Sequence, residues 1–159
     1  MKDLKSLTLE ELKDELKEGG FPAYRAGQLY RWLHVQLAED PEEMTNLPAK
    51  LKQFLSENYT MTRLQVADRQ ISRLDGTQKF LFQLPDGETI ESVFMKYKFG
   101  NSVCVSSQVG CRMGCRFCAS TLDGLRRNLL PGEILGEIYT IHRLTGEKIS
   151  HVVVMGTGE

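Results

Sequence analysis

One stretch of the chain contains all four of its cysteines: Cys104-Val-Ser-Ser-Gln-Val-Gly-Cys111-Arg-Met-Gly-Cys115-Arg-Phe-Cys118. The last three are spaced C-x3-C-x2-C, and Phe117 directly precedes the third. Three thiolates from one loop bind a soft metal or an iron–sulfur cluster well. A structural zinc requires four protein ligands, and the chain offers few others. The remaining histidines are His34, His142 and His151. The spacing therefore favours a metal centre with one open coordination position.

The residues around this loop predict a βαβ unit. Ser102–Ser106 reads as a short strand that leads into the cysteines, and residues 132–144 have helical periodicity. The apolar run from His151 to Met155 is typical of a buried parallel strand. A buried strand needs neighbours on both sides, so we expect this α/β chain to be the front part of a longer one.

The residues before residue 101 divide into two regions. Residues 1–60 read as a helical accessory domain and a candidate for RNA binding. Its first helix is predicted from the capping box Thr8-Leu-Glu-Glu11. Two more helices are predicted, one from about Arg25 to Leu37 and one from about Pro48. Residues 61–100 alternate with period two and predict a β-hairpin or meander. The core region is then 101–159.

Composition gives no global nucleic-acid signal, because 20 basic and 21 acidic residues leave a net charge of -1. Any RNA contact must rest on local patches. Four arginines surround the cysteine loop and can meet RNA phosphates or form a solvated loop: Arg112, Arg116, Arg126 and Arg127. No apolar run has the length of a membrane span and no signal peptide is evident, so we expect a cytoplasmic protein. In a reducing cytoplasm, clustered cysteines favour metal or redox chemistry.

The cysteine spacing directly after a strand resembles the radical S-adenosylmethionine (SAM) signature. Gly156-Thr-Gly158-Glu159, after the second core strand, lies where that superfamily places its SAM-contacting Gly-Glu motif. The resemblance implies a [4Fe-4S] cluster held by Cys111, Cys115 and Cys118. It also implies SAM contacts from Phe117, Gly158 and Glu159. Glycines allow close backbone approach, and the carboxylate can pair with the SAM ammonium group.

A narrower resemblance covers nearly the whole chain. Cys104-Val-Ser-Ser-Gln-Val-Gly-Cys, Cys-Ala-Ser-Thr-Leu-Asp-Gly-Leu-Arg-Arg-Asn-Leu and Asp75-Gly-Thr-Gln-Lys-Phe resemble the radical-SAM methyltransferases that methylate carbon 2 of an adenine. These dual-specificity enzymes act on 23S rRNA and tRNA, with a helical N-terminal domain and a partial (βα) barrel. The family usually has Gly-Met-Gly-Glu-Pro where this chain has Thr157 in the second place, from which we expect little chemical consequence.

The family assigns two further roles. Glu91 matches the carboxylate that accepts a proton from the adenine carbon. Cys104 matches a cysteine that forms a transient disulfide with a second, methyl-carrying cysteine, which this chain lacks. We therefore expect the chain to bind a cluster without completing methyl transfer. The ordinary alternatives are a solvent-facing strand glutamate for Glu91 and a small core residue for Cys104.

The resemblance also implies partners, which are 23S rRNA, tRNA and an electron donor such as flavodoxin. We expect the protein to be a monomer and not to associate with a membrane. Three other interpretations stay open. One is methylation at carbon 8 of the adenine, as in a sibling resistance group. Another is a non-catalytic, zinc-containing RNA-binding module. The last is a domain that has no activity by itself.

Overall fold

The computed structural model describes all residues from 1 to 159, in two compact units, Met1–Thr62 and Arg63–Glu159. Its mixed α/β architecture agrees with the predicted fold class. The three-part division at residues 60 and 100 stays a prediction. No helix is long and apolar enough to cross a membrane.

The first unit contains three helices and a small two-stranded sheet. Its elements are β1 (Lys2–Asp3), α1 (Leu9–Glu18), α2 (Tyr24–His34), α3 (Ala49–Asn58) and β2 (Tyr59–Thr60). β1 and β2 pair in parallel. The predicted capping box is confirmed, because the Glu11 amide donates to Thr8 Oγ1 at 3.3 Å and Glu11 Oε2 accepts from the Thr8 amide at 2.7 Å. α2 ends before the predicted Leu37, which has a φ of 56° and so cannot continue the helix.

The apolar faces of these helices meet in one buried core. Each helix contributes leucines at helical spacing: Leu12 and Leu16, Leu29 and Leu33, and Leu51 and Leu55. Burial of one such side chain contributes about 1.5–3 kcal/mol. This core explains why the first unit is compact although its helices are short.

The second unit is built on a five-stranded sheet. The elements are β3 (Gln65–Ile71), β4 (Gln78–Gln83), β5 (Thr89–Tyr97), β6 (Gly100–Val105), β7 (Gln108–Gly110), β8 (Leu125–Asn128), α4 (Pro131–Thr145) and β9 (Ile149–Val154). The sheet order is β3-β4-β5-β6-β9. β3 to β6 are antiparallel, whereas β9 is parallel to β6. The predicted meander and the predicted βαβ unit are both confirmed.

One face of this sheet packs against α4. Its buried side chains include Phe80, Phe82, Ile90, Phe94, Val103 and Val105, together with Ile141 of α4. Side chains alternate between the faces of a strand, so Glu91 and Cys104 belong to the opposite face. The sheet therefore separates a packed side from a side that presents both predicted reactive residues.

β9 differs from the sequence prediction in its burial. The run from His151 to Met155 was expected to be buried, yet Val152 is 47% exposed and Val154 62% exposed. The reason is its place in the sheet, since β9 pairs with β6 on one side and is the last strand in the order. The apolar composition predicted the strand and its direction correctly, but the prediction that the strand is buried was wrong for this chain.

Candidate functional site

The cysteine loop is closed at its base by a small antiparallel ribbon, β7–β8. Gln108 pairs with Asn128 and Val109 with Arg127, and an irregularity follows before Gly110 pairs with Leu125. The sequence analysis missed this ribbon, because strands of three and four residues carry little periodic signal. The ribbon brings both ends of the loop together and so makes it a closed lobe.

Gly110, immediately before the first predicted cluster cysteine, is fixed by two constraints. Its φ is +70°, in the left-handed region that favours glycine. A Cβ at this position would also overlap the backbone carbonyl oxygen of Gly124 on the other side of the ribbon. Only glycine fits where the chain enters the loop.

Gly110→Ala is therefore expected to disrupt the cysteine loop, because neither backbone carbonyl nor φ angle can adjust cheaply. We expect a fall of at least about 1–3 kcal/mol in the free energy of unfolding, measured with urea. Gly114, also at positive φ but with open space around its Cβ position, provides the control for φ alone. Equal stability of Gly110→Ala and the wild type would contradict the close approach.

The three predicted cluster ligands lie in the loop as free thiols. Cys111 is buried, Cys115 is exposed and Cys118 is half-buried. The Cys118 amide donates to the Cys115 carbonyl at 3.1 Å, which makes a tight turn between these two ligands. The thiols are not gathered into a ready-made group of metal ligands. Phe117 is 95% exposed beside them.

The donor set nevertheless fits an iron–sulfur cluster in its chemistry. It provides three soft thiols from one loop. Of the candidate fourth ligands, His142 has its Nδ1 2.8 Å from the Glu147 carbonyl and so already has a structural partner. A three-thiolate set leaves one metal position for a ligand that is not protein.

The turn from Gly156 to Glu159 is bonded to the segment that leads into the cysteine loop. Thr157 is the centre of this contact: its carbonyl accepts from the Ser107 amide at 2.9 Å and from the Gln108 amide at 3.1 Å. The Gly156 amide donates to the Val105 carbonyl at 2.9 Å. The structure thus brings together two segments whose bonded residues are up to 51 positions apart in the sequence.

Both glycines of this turn are required by close packing. A Cβ on Gly156 would lie 2.7 Å from Ser106 Oγ, and one on Gly158 would lie 2.6 Å from Ser107 Oγ. Gly158 also has a φ of +118°. These contacts are closer than any real Cβ tolerates, so the glycines allow the turn to lie directly against the segment before β7.

A cleft of about 440 Å³ lies next to this turn. Five of the six residues that line it are polar or charged: Ser107, Gln108, Arg112, Asn128 and Glu159, with Leu125 as the sixth. Gln108 organises its wall, since its Oε1 accepts from the Glu159 amide at 3.1 Å and its Nε2 donates to Asn128 Oδ1 at 2.9 Å. The predicted SAM contact Glu159 therefore lines a cleft beside the cysteine loop.

Glu91 and Cys104 share the open face of the sheet on neighbouring strands. Cys104 lies opposite Val93, two residues beyond Glu91, and is half-buried. The Glu91 carboxylate accepts from Lys79 Nζ at 2.7 Å, and this hydrogen bond raises the pKa of Lys79. Sequence reasoning missed Lys79. Its position on β4, the strand that pairs with β5, could have indicated that it lies near Glu91.

Two of the four loop arginines have structural partners. Arg126 pairs with Glu88 at 2.6 Å, whereas Arg127 pairs with Asp86 at 2.7 Å and donates two hydrogen bonds to Glu133. The bonds to Glu133 are the main cause that raises the pKa of Arg127. Both side chains connect β8 to the β4–β5 turn, and whether they also contact RNA stays a prediction. Arg112 and Arg116 are exposed.

Glu137 is the functional candidate that sequence reasoning missed altogether. This α4 residue is fully buried, and its Oε2 accepts from the Ser106 amide at 3.0 Å and from Ser92 Oγ. Burial raises its pKa to about 8, and the negative charge of Glu133 adds to the shift. The signal in the sequence was an acidic residue on the apolar helix face that carries Ile134, Ile138 and Ile141.

A strand, a three-cysteine loop, a helix and a parallel strand ending in Gly-Thr-Gly-Glu together define the first part of a radical-SAM core. The comparison with solved structures supports this class. A crystal structure of a radical SAM methyltransferase from Sphaerobacter thermophilus matches the chain with a TM-score of 0.89 and 40% sequence identity. The match covers 100% of this chain and 48% of that one.

The narrower resemblance has support as well, since over its whole length the chain is similar to part of proteins described as RlmN. A protein from Lachnoclostridium phytofermentans described as "Probable dual-specificity RNA methyltransferase RlmN" is 57% identical over 157 residues, which is 99% of this chain and 44% of the relative. The protein of the same description from Lachnospira eligens is 55% identical over 159 residues, 100% of this chain and 45% of the relative.

A family model described as "Ribosomal RNA large subunit methyltransferase N-terminal domain" matches residues 2–61. This range coincides closely with the first compact unit, Met1–Thr62. The chain spans less than half the length of the curated relatives that it matches. The shared region therefore contains the helical unit and the beginning of the core.

Proposed function

We propose that the chain is the front part of a radical-SAM enzyme that methylates carbon 2 of an adenine in 23S rRNA and in tRNA. The observation that carries this proposal is the direct bonding of the Gly156–Glu159 turn to the base of the three-cysteine loop. It brings together a set of soft donors and a glycine-acid turn beside one cleft. The names of the relatives supply the substrate class.

In this proposal, Cys111, Cys115 and Cys118 hold a [4Fe-4S] cluster. When held there, such a cluster would supply the electron that cleaves SAM. The Glu159 carboxylate binds the SAM ammonium group, and Gly158 allows its close approach. Phe117, exposed beside the cysteines, offers an apolar surface to the same ligand. The polar cleft next to Glu159 is the proposed entrance.

Glu91 and Cys104 are proposed to act on the RNA side of the reaction. The Glu91 carboxylate accepts the proton from the adenine carbon, and its ion pair with Lys79 orients this carboxylate. The Cys104 thiolate, having lost its proton, then attacks the sulfur of a second cysteine and forms a disulfide; the bond from that sulfur to the methylene carbon on the base breaks, and the carbon keeps the electron pair and takes up a proton to become the methyl group. Both side chains lie on the open face of the sheet, where an adenine has access to them.

The remaining partners follow from the same proposal. Arg112 and Arg116 are exposed near the loop and can meet RNA phosphates. The helical unit is a further candidate for RNA contact, and the reductant is a small electron carrier such as flavodoxin. The enzyme is proposed to act as a cytoplasmic monomer.

The proposal can be tested by grafting this chain in place of the matching segment of the Lachnoclostridium phytofermentans relative. We expect the chimera to methylate an rRNA fragment at carbon 2, as identified by mass spectrometry of the digested nucleosides. Cys104→Ala is expected to lower product release by at least a hundredfold and to leave a protein–RNA crosslink. Methylation at carbon 8 would contradict the assigned position, and normal turnover by Cys104→Ala would contradict the disulfide role.

A further inference from the structure

Glu137 stands out because a fully buried carboxyl group rarely has a partnerless oxygen. Its Oε2 accepts two hydrogen bonds, from the Ser106 amide and from Ser92 Oγ. Its Oε1 is buried and has no hydrogen-bond partner. Placing a carboxyl group here costs free energy that a leucine would not. Stability of the core therefore does not explain why a glutamate occupies this position.

The contact with Ser106 gives the acid a role outside the core. Ser106 is the first residue after β6, just beyond the last paired position of β5 and β6, Val93 with Cys104. Its hydroxyl donates to the Glu91 carbonyl at 2.8 Å and accepts from the Thr157 amide at 2.9 Å. Ser106 is thus bonded to α4, to the strand that carries Glu91, and to the glycine turn.

This arrangement defines the direction in which the chain leaves the sheet. The Ser106 amide points to Glu137 on the packed side, while its hydroxyl joins β5 to the turn after β9. The next residues, Ser107 and Gln108, hold the Thr157 carbonyl through their amides. A shift of Ser106 would therefore move the turn against the loop.

We propose that Glu137 is a positioning residue that acts through Ser106 and fixes the Gly156–Glu159 turn against the base of the cysteine loop. The importance of this placement rests on the proposed function, in which turn and loop form the cofactor site. The placement itself does not, because every bond in it is present in the chain alone. It is therefore testable without iron or SAM.

The test is amide hydrogen exchange on the 159-residue chain, followed residue by residue. In Glu137→Leu the Ser106 amide loses its acceptor, so we expect exchange at Ser106 and Thr157 to accelerate at least tenfold relative to Phe80 and Val103 in the centre of the sheet. Glu137→Gln retains an acceptor oxygen and is expected to keep the wild-type protection. Ser106→Ala, which removes only one oxygen, is expected to expose the Thr157 amide in the same way.

Two controls separate positioning from packing. Ser92→Ala removes the other partner of Glu137 and is expected to leave Thr157 protected. Ile141→Ala, a fully buried position on the same helix, is expected to accelerate exchange throughout the sheet without preference for Thr157. Uniform acceleration in Glu137→Leu, or unchanged protection of Thr157 in Ser106→Ala, would overturn the proposal.

A second measurement links the placement to the cofactor. In the cluster-loaded chimera, Glu137→Leu is expected to weaken SAM binding at least tenfold at unchanged iron content, as measured by equilibrium dialysis, with Glu137→Gln restoring it. Unchanged SAM affinity in Glu137→Leu would overturn the positioning role. A wild-type chimera without SAM affinity would contradict the proposed function, while the exchange experiment would still decide the placement of the turn.

Discussion

Cys115→Ala is expected to abolish iron–sulfur cluster binding. A cubane cluster held by three thiolates loses its tripod when one is removed, and the loop offers no replacement donor. Anaerobic incubation of the wild-type chain with iron and sulfide should give broad visible absorption and about four irons per chain. The variant should give little of either. Because Cys115 is exposed, its removal leaves the core packing unchanged.

Cys104→Ala is the matched control for this experiment. Cys104 lies on β6 rather than in the loop, so this variant should retain the full iron content and absorption. Full iron retention by Cys115→Ala would contradict its role as a ligand. If the wild-type chain instead takes up one zinc and shows no visible absorption, the radical-SAM interpretation fails and the zinc-containing RNA-binding module replaces it.

Glu137→Gln is expected to flatten the pH dependence of stability. Burial raises the pKa of Glu137 to about 8 in the folded chain, against an ordinary value of 4.5. The folded state then binds more protons than the unfolded state between these values, so stability falls as the pH rises through this window. One pKa unit corresponds to ~1.4 kcal/mol, and the folded-state carboxyl is itself half ionised at pH 8, so the wild type should lose roughly 2 kcal/mol between pH 6 and pH 8 that the variant keeps.

Urea unfolding at half-unit pH steps provides the measurement. Glu147→Gln, just after α4, is a suitable control. A hydrogen bond from Lys96 lowers the pKa of Glu147, so its charged form stabilises the folded state at neutral pH. The Glu147→Gln variant should still lose free energy of unfolding between pH 6 and pH 8, as the wild type does. The negative charge of Glu133 acts in the same direction as burial. Parallel curves for the wild type and Glu137→Gln would show that the buried acid does not titrate in this range.

Local sequence signals predicted most of the elements because their physical causes are local. The Thr8–Glu11 capping box fixed the start of α1, and alternation predicted the strands from Gln65 to Tyr97. The ribbon β7–β8 was missed because its strands of three and four residues carry little periodic signal, and the close approach of Gly110 to Gly124 is not encoded by periodicity either. The exposure of Val154 likewise depends on the sheet order.

The sequence by itself determined the donor chemistry of this protein. Three cysteines at C-x3-C-x2-C, a strand before them and a Gly-Thr-Gly-Glu segment after the next strand are readable as residue types and spacings. These features sufficed for the class and for the resemblance, since ligand identity and spacing are properties of the chain. They carried no information about how the two segments meet.

Only the tertiary structure decided how the cysteine loop and the Gly156–Glu159 turn contact each other. Thr157 is bonded to the residues from Ser106 to Gln108, and Ser106 in turn is held by Glu137 from a helix that the sequence presented as an ordinary amphipathic one. The same packing pairs Arg127 with Glu133 and Asp86. Hydrogen bonds between distant residues form only when the fold brings both partners together, and burial strengthens those from which water is excluded, so their pairing depends on the folded chain.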